Sequence, residues 1–372
     1  MITIYKHTDL KKLKIFHGPV NIGGIGRYLA DWQRKQGAIS DFIVWNDNPN
    51  RNDAHFCLNI YKYPGKIKKI IKIFINFFLC LFKYDIFHFY FAKSLLPYNL
   101  DLPILKIFRK KMIMTYCGSD IRLVKIEKKY NVYYKFLMVG MDHPRYDKKK
   151  MRIMRWQNLW IDCFTAIRNI YSSARKIIPH KKIRNDFWIN NVPLDFSKDI
   201  PCYKPNETPV IVHAPTSPEI KGSAFVEKAI QKLKEQGVAF KYIRLEKVPY
   251  QEANRIYHDQ ADIFVDQFFL GDFGNFACEG MYYGRPVCCY LIGDVLKWYP
   301  DCPIVNCTIE NLHEKLAWLI KNPDKRVEIG KRGQEFVKNH CDPEKINQRV
   351  WDLYKELAQK SKDTKENKTA SL

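Results

Sequence analysis

Residues Ala261–Tyr290 read ADIFVDQFFLGDFGNFACEGMYYGRPVCCY. An apolar strand runs into the loop Gly271-Asp272-Phe273-Gly274, then into a helical stretch holding one acid, Glu279, and then into a second apolar strand. This order builds a parallel sheet, and it aims exposed backbone N–H groups and a helix N-terminus at whatever binds beyond the first strand. That is an anion site, suited to a diphosphate. Glu279 follows Gly274 by five residues, about one and a half helical turns. From there its carboxylate reaches back over the loop and accepts hydrogen bonds from sugar hydroxyls. Phosphate beside ribose suggests a nucleotide.

The same alternation extends on both sides. Pro209–Ala214, Phe240–Leu245, Ala261–Gln267 and Pro286–Leu291 read as strands, separated by helical patterns over Gly222–Gln236, Tyr250–Gln260 and Asn275–Tyr283. Towards the N-terminus, Leu13–His17, Phe42–Trp45, Tyr84–Phe91 and Lys111–Tyr116 read as strands, with helical stretches through Tyr28, Leu29 and Trp32 and over residues 66–83. The pattern breaks at Asn190-Asn191-Val192-Pro193 and at Pro201–Pro209, a composition typical of linkers. A chain of 372 residues exceeds one typical core. The expected fold is therefore α/β, with two doubly wound Rossmann-like domains facing a cleft. Residues 1–195 form the first domain and 205–340 the second; residues 341–360 are a C-terminal helix packing back on the first, and 361–372 a polar, disordered tail.

Charge is uneven. Residues 1–200 carry 37 basic and 15 acidic side chains, whereas residues 201–372 carry 25 and 24. The first half therefore suits an anionic surface, either phospholipid head groups or nucleic acid; a lysine-rich composition bias is the bland alternative. Eleven cysteines without a CxxC pair, in a chain with no signal-peptide pattern, predict buried thiols in a reducing cytoplasm and no metal site. The longest apolar run, Ile73–Phe82, is broken by Asn76 and falls short of the roughly 20 residues that span a bilayer.

Two further turns draw attention. Gly23-Gly24-Ile25-Gly26 lies at a strand-to-helix turn, where glycine admits positive φ and close approach of a ligand, although a plain tight turn has the same composition. Lys221, just after the strand Pro209–Ala214, stands at a helix start and is placed to neutralise a diphosphate leaving group, or is simply solvated there. His213 ends that strand near the predicted site. His88, on an apolar strand, reads as a core residue. HExxH, GxSxG and Walker-type lysine motifs are absent, which argues against a metalloprotease, an esterase and a P-loop ATPase.

Lys221-Gly222, Asp262, Asp266-Gln267, Phe273-Gly274, Glu279, Met281 and Gly284-Arg285-Pro286-Val287, at these spacings, resemble the C-terminal domain of GT-B glycosyltransferases, specifically the retaining glycosyltransferase family 4. Gly23-Gly24-Ile25-Gly26, Asp85-Ile86-Phe87-His88 and Gly118-Ser119-Asp120-Ile121-Arg122 are similar to N-terminal segments of the same enzymes. The resemblance implies a nucleotide-sugar donor, a UDP- or GDP-sugar, with Lys221 on the diphosphate, Glu279 on the ribose and the amides near Gly274, Asn275 and Phe276 on phosphate. Gly24, Gly26 and His213 complete the donor contacts, and Asp120 joins Lys221 and Glu279 as a catalytic group. It also implies an acceptor held by the N-terminal domain, transfer with retention of configuration, and no obligatory metal; the basic first half makes a lipid-linked or cell-surface glycan the expected acceptor. Two positions depart from the family pattern: Gly271 stands where many members have Glu, and Cys117 where many have His.

Residues 66–83, KIKKIIKIFINFFLCLFK, are lysine-rich at the start and apolar beyond. They read either as a membrane-surface helix or as an ordinary helix packed on the sheet. The basic aromatic segment Arg145–Trp160 can extend the same patch. The expected location is the cytoplasmic face of the plasma membrane, with no nucleic acid bound; a nucleic-acid or anionic-surface binding protein without catalysis is the alternative.

Overall fold

The computed structural model describes residues 13–46, 54–137, 140–167, 170–184, 194–197 and 202–369, with side chains through residue 359. Positions 190–193 and 201 of the expected linker, and residues 370–372 of the tail, lie outside the described residues. The chain forms two compact units: Met1–Arg122 with Asp147–Asn191 and Glu344–Leu372, and Leu123–Tyr146 with Val192–Pro343.

Unit 1 is built on seven parallel strands: β1 (Lys14–Gly18), β2 (Ile39–Val44), β3 (Phe56–Cys57), β4 (Ile86–Tyr90), β5 (Lys111–Tyr116), β6 (Cys163–Ala166) and β7 (Ile183–Arg184). Their order is β3-β2-β1-β4-β5-β6-β7. Succession runs one way from β1 to β3 and the other way from β4 onward. Right-handed crossovers therefore put the helix Ile25–Lys35 on one face and the helices Lys66–Lys83, Asp101–Ile107 and Asp147–Trp160 on the other. The first face is closed by the terminal helix Pro343–Thr369. Its Val350, Trp351, Leu353, Tyr354 and Leu357 share a core with Ile15, Leu29, Ile86 and Ile113, and Trp351 meets Trp32 edge to face at 6.2 Å. The helix runs on to Thr369, past the expected start of a disordered tail, because nothing after Pro343 breaks it: the segment contains neither a further proline nor a glycine.

A polar network lies inside this apolar core. His17 and His88 stand side by side in register on β1 and β4, and both are fully buried. His17 donates from Nε2 to the Gln33 carbonyl at 2.9 Å, so its Nδ1 accepts the Tyr90 hydroxyl at 2.7 Å. His88 meets the Tyr354 hydroxyl at 2.6 Å and Thr115 Oγ1 at 2.6 Å. Burial pushes His17 down to about 4 and His88 well below its ordinary value, so both rings are neutral connectors between strands and terminal helix.

Unit 2 has five parallel strands: β8 (Val210–His213), β9 (Lys241–Arg244), β10 (Ile263–Val265), β11 (Val287–Cys289) and β12 (Val305–Asn306). They are ordered β9-β8-β10-β11-β12, so the order reverses between β8 and β10. The expected N-terminal domain loses a piece to this unit. Residues 123–146 pack here because Val124, Tyr133, Tyr134 and Leu137 enter the core of Ile211, Ile230, Ile263 and Leu316. Phe136 stacks on Phe269 at 4.9 Å, and Tyr133 meets Tyr290 at 4.7 Å.

Tyr354→Phe removes the partner of a buried imidazole nitrogen. It should lower the stability of unit 1 by about 1–3 kcal/mol in urea unfolding followed by tryptophan fluorescence, and an unchanged midpoint would mean that the network does not hold the terminal helix.

Candidate functional site

In an open α/β sheet, ligands bind beyond the carboxyl ends of the strands where the order reverses. In unit 2 that point lies between β8 and β10, and of the sequence-predicted residues Lys221, His213, Gly274, Asn275, Phe276 and Glu279 belong to this unit, whereas Gly24, Gly26 and Asp120 belong to unit 1. After β8 the chain turns through the short helix Pro218–Lys221 to Gly222, whose φ of 77° starts the helix Ser223–Glu235. Lys221 extends to Asp266, the residue after β10, with Nζ 2.5 Å from Oδ1. Asp266 is fully buried. Its other oxygen accepts the Gly274 amide at 2.9 Å. One carboxylate thus joins the lysine of one strand end to the glycine loop of the other. An ammonium offers three donors and Asp266 takes one, so the lysine keeps capacity for a phosphate.

The glycine loop is held from several sides. Gln267 donates to Asp272 O at 2.6 Å, Ile292 N donates to Gly271 O at 3.0 Å, and Asn131 Nδ2 donates to Phe269 O at 2.7 Å. Asp272 is buried, and its Oδ1 accepts the Phe273 amide at 2.9 Å. Beyond Gly274 the helix Asn275–Tyr282 starts with no side-chain cap, which leaves the first-turn amides of Asn275 and Phe276 pointing out of the helix start. Phe276 also lies under the Lys221 ammonium, 5.9 Å from ring centroid to Nζ. Glu279 is on the same helix and buried.

At Gly271, where the enzymes that the sequence resembles often have Glu, the structure leaves no room for one. The glycine's φ is 70°, and a Cβ there would lie 2.5 Å from Ile292 Cγ2 and 3.1 Å from Asn131 Nδ2. The backbone favours glycine and the space excludes a longer side chain.

His213 is placed differently from a donor contact. The ring is fully buried; Nδ1 donates to Val265 O at 2.7 Å, so Nε2 accepts the Ser223 hydroxyl at 2.8 Å. Both nitrogens are used in tying β8 to β10 and to the start of the next helix. Burial, with the Lys221 charge nearby, pushes His213 down to about 4. The sequence reading passed over Ser223 and Asn131, and it quoted Asp266 without giving it a role; an acid directly after an apolar strand was the available signal.

In unit 1, Gly24 caps the helix Ile25–Lys35 with φ 78°, and its amide is held by Asn21 Oδ1 at 2.8 Å. Gly26 serves packing: a Cβ there would lie 2.5 Å from the Phe42 ring. After β5, the carboxylate of Asp120 accepts the amides of Gly118 at 2.7 Å and Cys117 at 3.2 Å. It is buried, which pushes it up to about 6 against those hydrogen bonds. Cys117 Sγ lies 3.5 Å from Thr115 O, and burial holds its thiol well above the ordinary value, so it is no thiolate. Among the described residues there is no cluster of His, Cys, Asp or Glu able to hold a metal.

No family profile and no curated protein matches this sequence. Solved structures do. Sucrose-phosphate synthase from Thermosynechococcus elongatus superposes with a TM-score of 0.66 at 15% identity, over 94% of this chain and 99% of that one. HepE from Anabaena, solved in complex with UDP-glucose, gives 0.60 at 11% identity over 93% and 99%. WaaG, a glycosyltransferase involved in lipopolysaccharide biosynthesis, gives 0.56 at 12% over 92% and 99%. The fold is that of GT-B glycosyltransferases.

His213 supplies a pH signature for the site. Its folded value is depressed from 6.5 to about 4, so the neutral ring stabilises unit 2 fully above 6.5 and that contribution is lost as pH falls through about 4. His213→Gln should flatten the acid-side fall of the unit 2 unfolding free energy by about 3 kcal/mol across that window; parallel profiles for variant and wild type would mean the ring is not held neutral.

Proposed function

We propose that this protein is a glycosyltransferase that moves a sugar from a nucleotide-diphosphate donor, a UDP- or GDP-sugar, to a lipid-linked or cell-surface glycan. The observation that carries the reading is the Lys221–Asp266–Gly274 linkage at the strand reversal of unit 2. It sets a cation, a glycine loop and an uncapped helix start around one point, the equipment for a diphosphate. The GT-B fold supports the same class of reaction; by itself a fold would carry only an analogy.

Each residue has a distinct task. Asp266 fixes where the Lys221 ammonium stands, so that the positive charge is in place before the glycosidic bond breaks. As that bond breaks, negative charge grows on the departing diphosphate, and Lys221 with the amides of Asn275 and Phe276 stabilises it. Glu279 accepts the ribose hydroxyls. With the leaving group handled by fixed charges, no divalent cation is needed. Retention of configuration then follows a front-face path that depends on positioning more than on a side-chain base. Asp120, raised to about 6, fixes the loop after β5 and belongs to the acceptor side of the reaction. The acceptor reading, with work at the inner face of the plasma membrane in polysaccharide biosynthesis, is supported by the concentration of basic charge in residues 1–200, 37 against 15 acids. No described helix is long and apolar enough to cross a membrane.

Lys221→Ala should lower kcat by about 10²–10³ with the fold intact, and Glu279→Ala should raise the donor Kd by roughly tenfold or more. The measurements are turnover with the donor picked by thermal shift among UDP, GDP, CMP and ADP sugars, and donor titration calorimetry without added metal. Wild-type values in both variants would remove the site assignment.

A further inference from the structure

The helix Lys66–Lys83 lies on the sheet face opposite the terminal helix, yet it uses little of itself to cover that sheet. Of its eighteen residues only Phe77, Cys80 and Leu81 are buried. Ile67, Ile70, Ile71, Phe74, Ile75, Phe78, Leu79 and Phe82 are all exposed, reaching 74% at Ile67, 65% at Leu79 and 71% at Phe82. Large apolar side chains this exposed, and contiguous, mark an interaction surface.

At about 100° per residue the helix divides into three sectors. Phe77, Cys80 and Leu81 occupy the first, with Lys66 and Ile70 between them. Ile67, Ile71, Phe74, Ile75, Phe78 and Phe82 fill an adjoining arc of about 100°. Lys68, Lys69, Lys72 and Lys83, with Asn76, form the third sector along the far edge of that arc, and Leu79 stands among them. A helix that only packed on the sheet would turn its apolar arc inward and its lysines outward. This one has a small core stripe, a wide free apolar stripe, and a row of ammonium groups bordering it. Neighbouring chain extends the apolar stripe: Phe82 meets Phe108 edge to face at 5.9 Å, and Ile107 beside it is 76% exposed. The helix Asp147–Trp160 shares this side of the sheet and exposes Lys148, Lys149, Arg152 and Arg155, while Lys150 is withdrawn to donate to Arg122 O at 2.6 Å.

We propose that the helix Lys66–Lys83, with Ile107 and Phe108, lies flat in the interfacial layer of an anionic phospholipid bilayer. The apolar side chains of the arc enter the acyl boundary and the lysines reach sideways to the head groups. Charge decides between this occupant and a second copy of the chain. The helix contains no acid, and a two-fold contact sets the same patch on both sides, so a dimer would oppose lysine rows. A bilayer of acidic lipid supplies both an apolar layer and the opposite charge. The proposal deepens the membrane-side acceptor reading and rests on it for its purpose.

The test is co-sedimentation of the full chain with vesicles of phosphatidylglycerol and phosphatidylcholine in equal parts, against phosphatidylcholine alone. The wild type should bind the anionic vesicles, and Leu79→Glu/Phe82→Glu and Lys68→Glu/Lys72→Glu should each weaken partition by about tenfold or more. Leu79, Phe82 and Lys68 are exposed and Lys72 is half-buried over the Tyr63 ring, so circular dichroism should be unchanged and thermal melting should move little. Undiminished vesicle binding in both variants would overturn the proposal, as would a stable dimer in sedimentation velocity that Leu79→Glu/Phe82→Glu dissociates. The assay contains neither donor nor acceptor, so its result stands apart from that of the donor experiments.

Discussion

The carboxylate of Asp266 is the constraint on which unit 2 is arranged. It is fully buried, and a buried carboxylate without compensation costs several kcal/mol. Compensation comes from the Lys221 ammonium on one oxygen and the Gly274 amide on the other. These partners come from opposite sides of the strand reversal, so satisfying one charge fixes the separation of the lysine and the glycine loop. His213 fits the same logic. A protonated ring beside Lys221 would add a second cation in a dry place, and the ring stays neutral while bonding Val265 and Ser223. Lysine, glycine loop and imidazole are thus held in place by bonds within the unit itself.

Much of this was legible in the sequence because it depends on local order. The strand, glycine loop, helix and strand of residues 261–290 appear where periodicity places them, as β10, the helix Asn275–Tyr282 and β11. The strand ending at His213 and the turn holding Lys221 were legible for the same reason. What periodicity does not carry is the partner of a polar group. A histidine ending a strand near a binding site looks like a ligand contact, and only the positions of Val265 O and Ser223 Oγ show both nitrogens taken. Gly26 is similar: its turn suggested ligand approach, whereas the space above it belongs to Phe42.

Residues 121–160, rich in Lys, Tyr, Met and Trp, are the least legible stretch of the sequence, and the segment 123–146 within it shapes the site. Its aromatic residues have no helical or strand period to place them, because their partners Phe225, Phe269 and Tyr290 come from distant parts of the chain. Once seated, the segment brings Asn131 to Phe269 O and against Gly271. Gly271 then has neither the backbone conformation nor the room for the acid that many similar enzymes have there. Backbone and space together therefore exclude a carboxylate at that position, and the neighbouring Asp272 turns its Oδ1 to the Phe273 amide.

In unit 1 the two faces of the sheet have been given different tasks by the same right-handed crossovers. One face receives the terminal helix, and the polar network around His17 and His88 reaches it through the Tyr354 hydroxyl. The other receives the lysine-rich helices. For residues 66–83 composition alone could not separate a core helix from a surface one, since both are apolar over most of their length. Burial separates them: a helix that gives three residues to the core and leaves eight large apolar ones outside has a second environment to satisfy. Four lysines of the basic first half, Lys68, Lys69, Lys72 and Lys83, then line one edge of that stripe.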